Sequence, residues 1–252
     1  MERRIHFISG LPKSGGSLLG ELLSQDPDVS VTNNNTACHE ALYTVRNNWN
    51  SWREHKNDKD LNNEVNLQRV LNNLLYSYCI SDNDIHFDKG RSWLSLLEMA
   101  EFALGRQAKV IVPVRTIKDI AASYESEYRE NAHKLNPDHD YYESLTVEGR
   151  TNHLISKQGL IGCAYTKIQD AIQRGFGNRM FLVDYNDLIT SPEKCMGQIW
   201  DWLEMDAPKH DFSIINESRS NRSAQRILGS DVCEQIDDTE FWRKQPSQQQ
   251  TK

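Results

Sequence analysis

The chain has 252 residues, a formal net charge of −7 at neutral pH and five cysteines. This length is enough for one α/β domain with a sizeable core, and the acidic balance argues against bulk binding to nucleic acid. The cysteines are scattered and never spaced as Cys-x-x-Cys, which is typical of a reducing compartment and gives no zinc site.

The apolar runs are all short. None approaches the roughly 18 residues of a membrane span, and the first one begins at Ile5. We therefore expect a cytoplasmic chain without a signal peptide or membrane insertion. A single domain is expected over residues 1–244, with a disordered tail over 245–252. The sequence carries no signal for an oligomeric state.

Apolar runs bounded by polar residues predict buried strands, and segments with a helical period lie between them. This alternation predicts a three-layer α/β/α fold with a central, mainly parallel sheet. Strands are expected at 5–8, 85–87, 110–114, 180–183 and, more faintly, 29–31; helices are expected at 16–25, 62–79, 92–104, 117–130, 153–174 and 192–203.

Two polar segments interrupt the alternation. Residues 32–60 are rich in asparagine, and residues 131–151 carry a run of charged and aromatic side chains. In an α/β domain such insertions often lie over the site as lids or substrate loops, and a solvated surface excursion is the alternative.

A glycine-rich turn, Ser-Gly-Leu-Pro-Lys-Ser-Gly-Gly-Ser over residues 9–17, follows the first strand and precedes an apolar helix. Strand, turn and helix together present backbone N–H groups at a positive helix end, which predicts a site for phosphate or sulfate. In a Walker A loop a lysine follows the second conserved glycine. Here Gly16 stands at that position, and the lysine of the loop is Lys13. We therefore expect an anionic nucleotide rather than a triphosphate with magnesium.

A second motif lies at the end of the predicted strand 110–114. Arg115 leaves that strand, and Ser123 lies two turns into the next helix, for which Thr116 is the predicted N-cap with Asp119 three residues later. Ligands bind at the carboxyl ends of parallel strands, where Arg115 stands, which makes Arg115 and Ser123 candidate ligand contacts. A strand-end salt bridge and a solvent-facing helix position are the respective alternatives.

These motifs resemble those of the sulfotransferases that use 3′-phosphoadenosine-5′-phosphosulfate (PAPS). Residues 12–17 match the family's Pro-Lys/Arg-Ser-Gly-x-Ser/Thr, and Arg115 with Ser123 matches its strand-end Arg followed eight residues later by Ser. A third match is Tyr-x-Asp-Leu at residues 185–188, followed by Pro192 and an amphipathic helix. The resemblance implies transfer of a sulfuryl group from PAPS to a hydroxyl or amine, with release of adenosine 3′,5′-bisphosphate (PAP) and no metal requirement.

The resemblance also implies roles for individual residues. Lys13 and Lys89, which follows strand 85–87, are expected to stabilise charge on the leaving oxygen. The 3′-phosphate is expected on Arg115 and Ser123, and Tyr185 is the candidate wall for adenine. The 5′-phosphosulfate is expected on the loop residues Lys13, Ser14, Gly15, Gly16 and Ser17.

The general base divides the family. The cytosolic small-molecule branch has a His two residues after the strand-end lysine, where this chain has Arg91. The carbohydrate and tyrosylprotein branch uses a Glu some 20 to 30 residues after the loop lysine, and His39 and Glu40 lie 26 and 27 residues after Lys13. Glu40 is therefore the expected base and His39 the second candidate, which makes the chain similar to the carbohydrate and tyrosylprotein branch.

Three other functions remain open from the sequence. A P-loop kinase or NTPase could use strand 180–183 and Asp184 as a Walker B element, although Gly16 leaves the γ-phosphate without its main cation. A non-catalytic nucleotide-binding module on the same fold is the second. A metal enzyme built on the Asp-His-Asp run at 138–140 is the third, and a solvated loop is the simpler interpretation of that run.

Overall fold

A computed structural model describes residues 4–32, 37–52, 63–79, 83–131, 146–215 and 223–236. Its centre is a five-stranded sheet with the order β2-β3-β1-β4-β5, in which every ladder is parallel. All five predicted strands are confirmed, including the faint one, with bounds within two residues of those expected. They are β1 (Arg4–Ile8), β2 (Val29–Thr32), β3 (Ile85–Lys89), β4 (Val110–Val114) and β5 (Met180–Asp184).

Helices cover both faces of this sheet. In β1 the side chains of Ile5 and Phe7 pack into one hydrophobic cluster, and Ile8 packs into another on the opposite face. In β4 the side chain of Val112 packs into the first cluster and that of Ile111 into the second, because successive side chains of a strand point to opposite faces. The predicted three-layer α/β/α fold is thereby confirmed.

Helices fill the two outer layers. Thr116 caps its helix as predicted, because its Oγ1 accepts a hydrogen bond from the Asp119 N–H at 3.2 Å. The helices of the described residues are α1 (Gly16–Leu23), α2 (Cys38–Asn48), α3 (Glu64–Tyr78), α4 (Leu97–Leu104), α5 (Ile117–Glu130), α6 (Val147–Ile155), α7 (Leu160–Gln173), α8 (Tyr185–Thr190), α9 (Pro192–Leu203), α10 (Ala224–Leu228) and α11 (Ser230–Gln235), with 3₁₀ turns at Trp93–Leu96 and Phe176–Arg179.

Within the polar segment 32–60, the described residues 37–52 contain the helix α2. Buried Cys38, Leu42 and Trp49, with Val45 partly buried, form a stripe at helical spacing that packs on the main core. The spacing of these apolar residues in the sequence was the available sign of a helix, and the many asparagines around them obscured it.

The predicted helix 153–174 was wrong as one unit. It is divided between α6 and α7, because Ser156 adopts ψ 158° and ends α6. The Ser156 Oγ then accepts a hydrogen bond from the N–H of Gly159, the N-cap of α7, at 3.0 Å. Residues 132–145 of the second polar insertion, including the Asp-His-Asp run, lie outside the described residues, as does the tail 245–252.

The central strand β1 lies between β3 and β4. After β1 the chain enters α1, which packs on one face of the sheet, whereas after β4 it enters α5, which packs on the other. Connections that leave neighbouring strand ends in opposite directions open a crevice between them. The glycine-rich turn and Arg115 therefore border the same crevice.

Candidate active site

The turn between β1 and α1 adopts two left-handed residues, Lys13 at φ 53° and Gly15 at φ 84°. Gly15 is the N-cap of α1, no side chain caps the helix, and its first turn has no acidic residue. The N–H groups of that turn consequently point outward without an intrahelical partner, at the positive end of the helix. A Cβ on Gly15 would lie 2.7 Å from Cδ2 of Tyr185, so the position is restricted to glycine by space as well as by φ.

Ser14 fixes this turn to the neighbouring strand. Its side chain is buried, and its hydroxyl lies within hydrogen-bonding distance of the Leu11 carbonyl and, at 3.0 Å, of the Pro113 carbonyl. The Leu11 N–H also donates to the Pro113 carbonyl at 2.9 Å. The Ser14 hydroxyl therefore anchors the turn, and its backbone N–H is what this residue can offer to a phosphate.

Lys89 reaches the turn from the end of β3. Its Nζ donates a hydrogen bond to Oγ of Ser17 at 2.9 Å. On the way its Cδ lies 3.8 Å from the position that a Cβ on Gly16 would take, an ordinary van der Waals distance. A lysine from the neighbouring strand β3 thus reaches the turn, in which Gly16 stands at the Walker lysine position. Burial lowers the pKa of Lys89, and the nearby charge of Arg91 lowers it further.

Lys13 points toward α5. Its Nζ forms an ion pair with Oε2 of Glu127 at 2.7 Å and lies 5.5 Å from the centre of the Tyr124 ring. Burial raises the pKa of Tyr124, while the charges of Arg91 and Lys13 oppose the rise. Glu127 was missed by the sequence analysis, although it lies one turn after Ser123 on the same helix face.

Arg115 closes the crevice opposite the turn. One of its Nη1 hydrogens is donated to the Lys13 carbonyl at 3.3 Å, and its guanidinium lies 4.3 Å from the centre of the Tyr185 ring. The Arg115 side chain is only 11% exposed, Asp119 lies 4.0 Å from Nε, and that Nε has no hydrogen bond to any described residue. A buried donor without an acceptor is costly, and an anion in the crevice would remove that cost.

Tyr185 and Ser123 also lie on the elements that border the crevice. The Tyr185 ring supports both Arg115 and Gly15, and it is only 8% exposed, which leaves little area for stacking an adenine. Ser123 is half-buried on α5, four residues before Glu127.

The two candidate bases lie on α2. The His39 side chain is 14% exposed and its ring centre lies 6.0 Å from that of Trp93, whereas the Glu40 side chain is 76% exposed. His39 Nε2 lies 3.9 Å from a Glu40 carboxylate oxygen, and His39 Nδ1 is buried without a described partner. Both residues line a cavity of about 400 Å³ that also includes Arg91.

His86, which lies on β3 three residues before Lys89, is a core residue. It is buried, with its ring nitrogens 2.8 Å from Ser30 Oγ and 3.3 Å from Thr32 Oγ1. Its ring is therefore engaged by β2.

The model of the sulfotransferase domain family matches residues 4–249. The chain belongs to this sulfotransferase family. The predicted enzyme class, a PAPS-dependent sulfotransferase, is thereby confirmed at the level of the family. No curated protein matches the chain in a sequence comparison.

Solved structures of sulfotransferases are similar in fold. Sulfotransferase STF9 from Mycobacterium avium has 13% identity and a TM-score of 0.52, over 86% of this chain and 68% of that one. Mouse sulfotransferase SULT7A1 complexed with PAP has 17% identity and a TM-score of 0.51, over 87% and 64%. STF1 from Mycobacterium tuberculosis H37Rv has 16% identity and a TM-score of 0.50, over 92% and 77%. At these identities the likeness concerns the fold alone.

Within the described part of the chain, no helix combines the length and hydrophobicity that crossing a membrane requires. The same residues contain no group of three or more His, Cys, Asp or Glu side chains arranged to hold a metal ion.

Proposed function

We propose that this sulfotransferase moves the sulfuryl group of PAPS onto a hydroxyl, or an amine, of its acceptor and releases PAP. The observation that carries the proposal is the meeting of two anion-binding elements in one crevice, where Arg115 donates to the Lys13 carbonyl at 3.3 Å. One nucleotide with an anionic group at each end can contact both elements.

The residues present fit such a nucleotide. The outward N–H groups of residues 14–17, the Ser17 hydroxyl and Lys89 are suited to the 5′-phosphosulfate. The free Nε of Arg115 and the Ser123 hydroxyl are suited to the 3′-phosphate, since a guanidinium binds phosphate through paired donors. Tyr185 is proposed to hold Arg115 and Gly15 in place rather than to stack on adenine.

The reaction needs positioning and charge stabilisation. The acceptor oxygen attacks sulfur, the bond from sulfur to the bridging oxygen of PAPS breaks, and PAP leaves with the electron pair. By analogy with phosphoryl transfer, the protein stabilises the charge that develops on that bridging oxygen. Lys89 and Lys13 are proposed for this role, and Lys13 must exchange its Glu127 partner for the nucleotide.

The acceptor proton requires a base on the cavity side. Glu40 is the proposed base and His39 the second candidate, because both line the cavity beside Arg91. The buried, unpartnered Nδ1 of His39 favours the histidine, whereas the exposure of Glu40 lets its carboxylate reach an acceptor. Both candidates are assigned by their position in the cavity, because a base must first be within reach of the proton that it removes.

We also propose the similarity to the carbohydrate and tyrosylprotein branch and a cytoplasmic location. The first is supported by Arg91 standing where the small-molecule branch has histidine and by Glu40 lining the cavity. The second is supported by the five cysteines, all of which are free thiols.

A ligand comparison tests this function. PAP should raise the melting temperature of the protein strongly, and ATP with magnesium should raise it little, because the loop lacks the Walker lysine. Radiolabelled PAPS should then transfer its label to an acceptor in a lysate. Stabilisation by ATP with magnesium but not by PAP would instead favour the kinase alternative. PAP binding without transfer to any acceptor class would favour the non-catalytic module.

A further inference from the structure

A cavity of about 400 Å³ lies between α2, the segment after β3 and the beginning of α7. Its volume is within the range of sites that hold small molecules. Its lining combines cationic, acidic and thiol side chains with backbone of the helix start, and consists of Ala37, His39, Glu40, Arg91, Ser92, Gln158, Gly159, Leu160, Cys163, Ala164 and Lys167.

Arg91 connects this cavity to the crevice that holds the nucleotide. It follows Lys89 by two residues, lines the cavity, and is close enough to Lys89 and Tyr124 to lower the pKa of each. Since Lys89 contacts Ser17 in the glycine-rich turn, the cavity adjoins the place where sulfur would be transferred. It is therefore the space available for an acceptor.

No described residue neutralises the cations of the cavity. Arg91 and Lys167 form no ion pair or hydrogen bond with any described residue. By contrast, Arg150 and Arg174 each pair with a carboxylate at 2.8 Å or less. Glu40 is the only acidic side chain among the described lining residues, and its carboxylate lies 3.9 Å from Nε2 of His39.

The wall formed by α7 adds to this positive field. Gly159 begins the helix without a side-chain cap, and the first turn of α7 has no acidic residue. Two cationic side chains and one carboxylate leave about one positive charge, which matches a carboxylate better than a phosphate, whose charge is close to −2. The planar guanidinium of Arg91 is also suited to bind a carboxylate through two parallel hydrogen bonds.

Resting on the proposed function, we propose that the acceptor is a small hydroxy acid whose carboxylate is bound by Arg91 and Lys167. Its hydroxyl faces Lys89 and the candidate bases and receives the sulfuryl group. The acceptor's own carboxylate is unchanged by the reaction. In this view Arg91 selects the acceptor at the position where a small-molecule enzyme has its base.

Matched acceptors that differ only in charge test the inference. One series is 4-hydroxyphenylacetate, its amide and tyramine, and a second is 6-hydroxyhexanoate, its amide and 6-aminohexanol. With PAP bound, the carboxylate member of a series should stabilise the protein most in thermal-shift measurements. With PAPS, its kcat/KM should exceed that of the amide by roughly tenfold or more, as expected for a charge-assisted contact.

Variants of Lys167 assign the effect to this cavity. Lys167→Met should remove the preference for the carboxylate, and Lys167→Glu should reverse it in favour of the amine. Lys194→Met is the matched control, because Lys194 is exposed on α9 and forms no hydrogen bond or ion pair with a described residue. It should keep the preference of the wild type.

Stabilisation by PAP separates this inference from the proposed function. If PAP does not bind, the proposed function fails. If PAP binds, any of three results overturns the inference alone. The first is that amides or amines bind as well as carboxylates, and the second is that no carboxylate binds. The third is that Lys167→Glu keeps the wild-type order of preference among carboxylate, amide and amine. A carboxylate preference that Lys167→Glu reverses supports it.

Discussion

The crevice proposed for the nucleotide and the cavity proposed for the acceptor are built by different means. The crevice consists largely of backbone: a left-handed turn, an uncapped helix start and the ends of adjacent strands, held by the buried Ser14 hydroxyl. The cavity is lined mainly by side chains from three separate segments, with Arg91 and Lys167 lacking described partners. Backbone geometry tolerates little change, whereas side chains at a cavity can vary without altering the fold. The nucleotide is accordingly expected to be fixed by the fold, and the acceptor by a few substitutions.

The largest effect is expected from breaking the crevice at Gly15. In Gly15→Ala the residue must keep φ 84° and place its Cβ 2.7 Å from Tyr185. The conformation alone costs about 1–2 kcal/mol and the overlap adds about 1–3 kcal/mol. We expect a lower free energy of unfolding, measured by urea titration, and loss of PAP binding, measured by calorimetry.

Gly197→Ala provides the control for Gly15. Gly197 lies within α9, and a Cβ there meets nothing within 4 Å. This variant should be as stable as the wild type or more stable by up to about 1 kcal/mol. A Gly15→Ala protein that binds PAP normally would contradict a backbone origin of the crevice.

Substitutions of the two candidate bases in the cavity should affect the transfer step without affecting nucleotide binding. Replacing the true base in Glu40→Gln or His39→Asn should reduce kcat by about 10²–10⁴, the usual contribution of general base catalysis. The dissociation constant of PAP, measured by calorimetry, should change little, because both residues line a cavity whose described lining includes no residue of the glycine-rich turn. If both variants retain the wild-type kcat, neither residue is the base.

Lys89 lies between the two regions and should affect the transfer step. Lys89→Met removes the donor to Ser17 and one charge beside the leaving oxygen, and kcat/KM should fall by about 10²–10³, as when a single transition-state donor is lost. Steady-state transfer from PAPS measures this effect, with Lys194→Met as the comparison. A loss of PAP affinity without loss of kcat would restrict Lys89 to binding.

The smallest effect is expected at Glu127. Its ion pair with Lys13 is partly exposed, with side-chain exposures of 37% for Lys13 and 54% for Glu127, and such pairs contribute about 0–1 kcal/mol. Glu127→Gln should free Lys13 and tighten PAP binding by up to about fivefold in a calorimetric titration. Glu234→Gln on α11 should leave PAP binding unchanged. Weaker PAP binding by Glu127→Gln would mean that the ion pair holds Lys13 in a productive position.

The sequence predicted the crevice well because its parts are local. A strand, a glycine-rich turn and a helix are consecutive in the chain. Since Ile8 at the end of β1 pairs with Ile111, the end of β4 lies beside the turn, where the Leu11 N–H donates to the Pro113 carbonyl. The family resemblance assigned Arg115 to the same nucleotide as the turn, and the structure makes the two neighbours. Tyr185 was found by its motif, but its contact with Gly15 depends on packing between distant segments.

The cavity was predicted poorly for the same reason. The residues of α2 were predicted to belong to a polar insertion. The prediction of one continuous helix over 153–174 missed the separate start of α7 at Gly159. Neither Lys167 nor Glu127 has a motif, and each matters only through neighbours far away in the chain.

By itself the sequence determined the parallel α/β sheet and the place of the glycine-rich turn, since hydrophobic period and glycine spacing act over a few residues, and its motifs carried the resemblance to the family. Only the tertiary structure decided which lysine reaches the turn from another strand and which charges line the cavity proposed for the acceptor. Those outcomes depend on the packing of helices on the sheet, where burial and distance set the strength of each charge and no short sequence pattern records them.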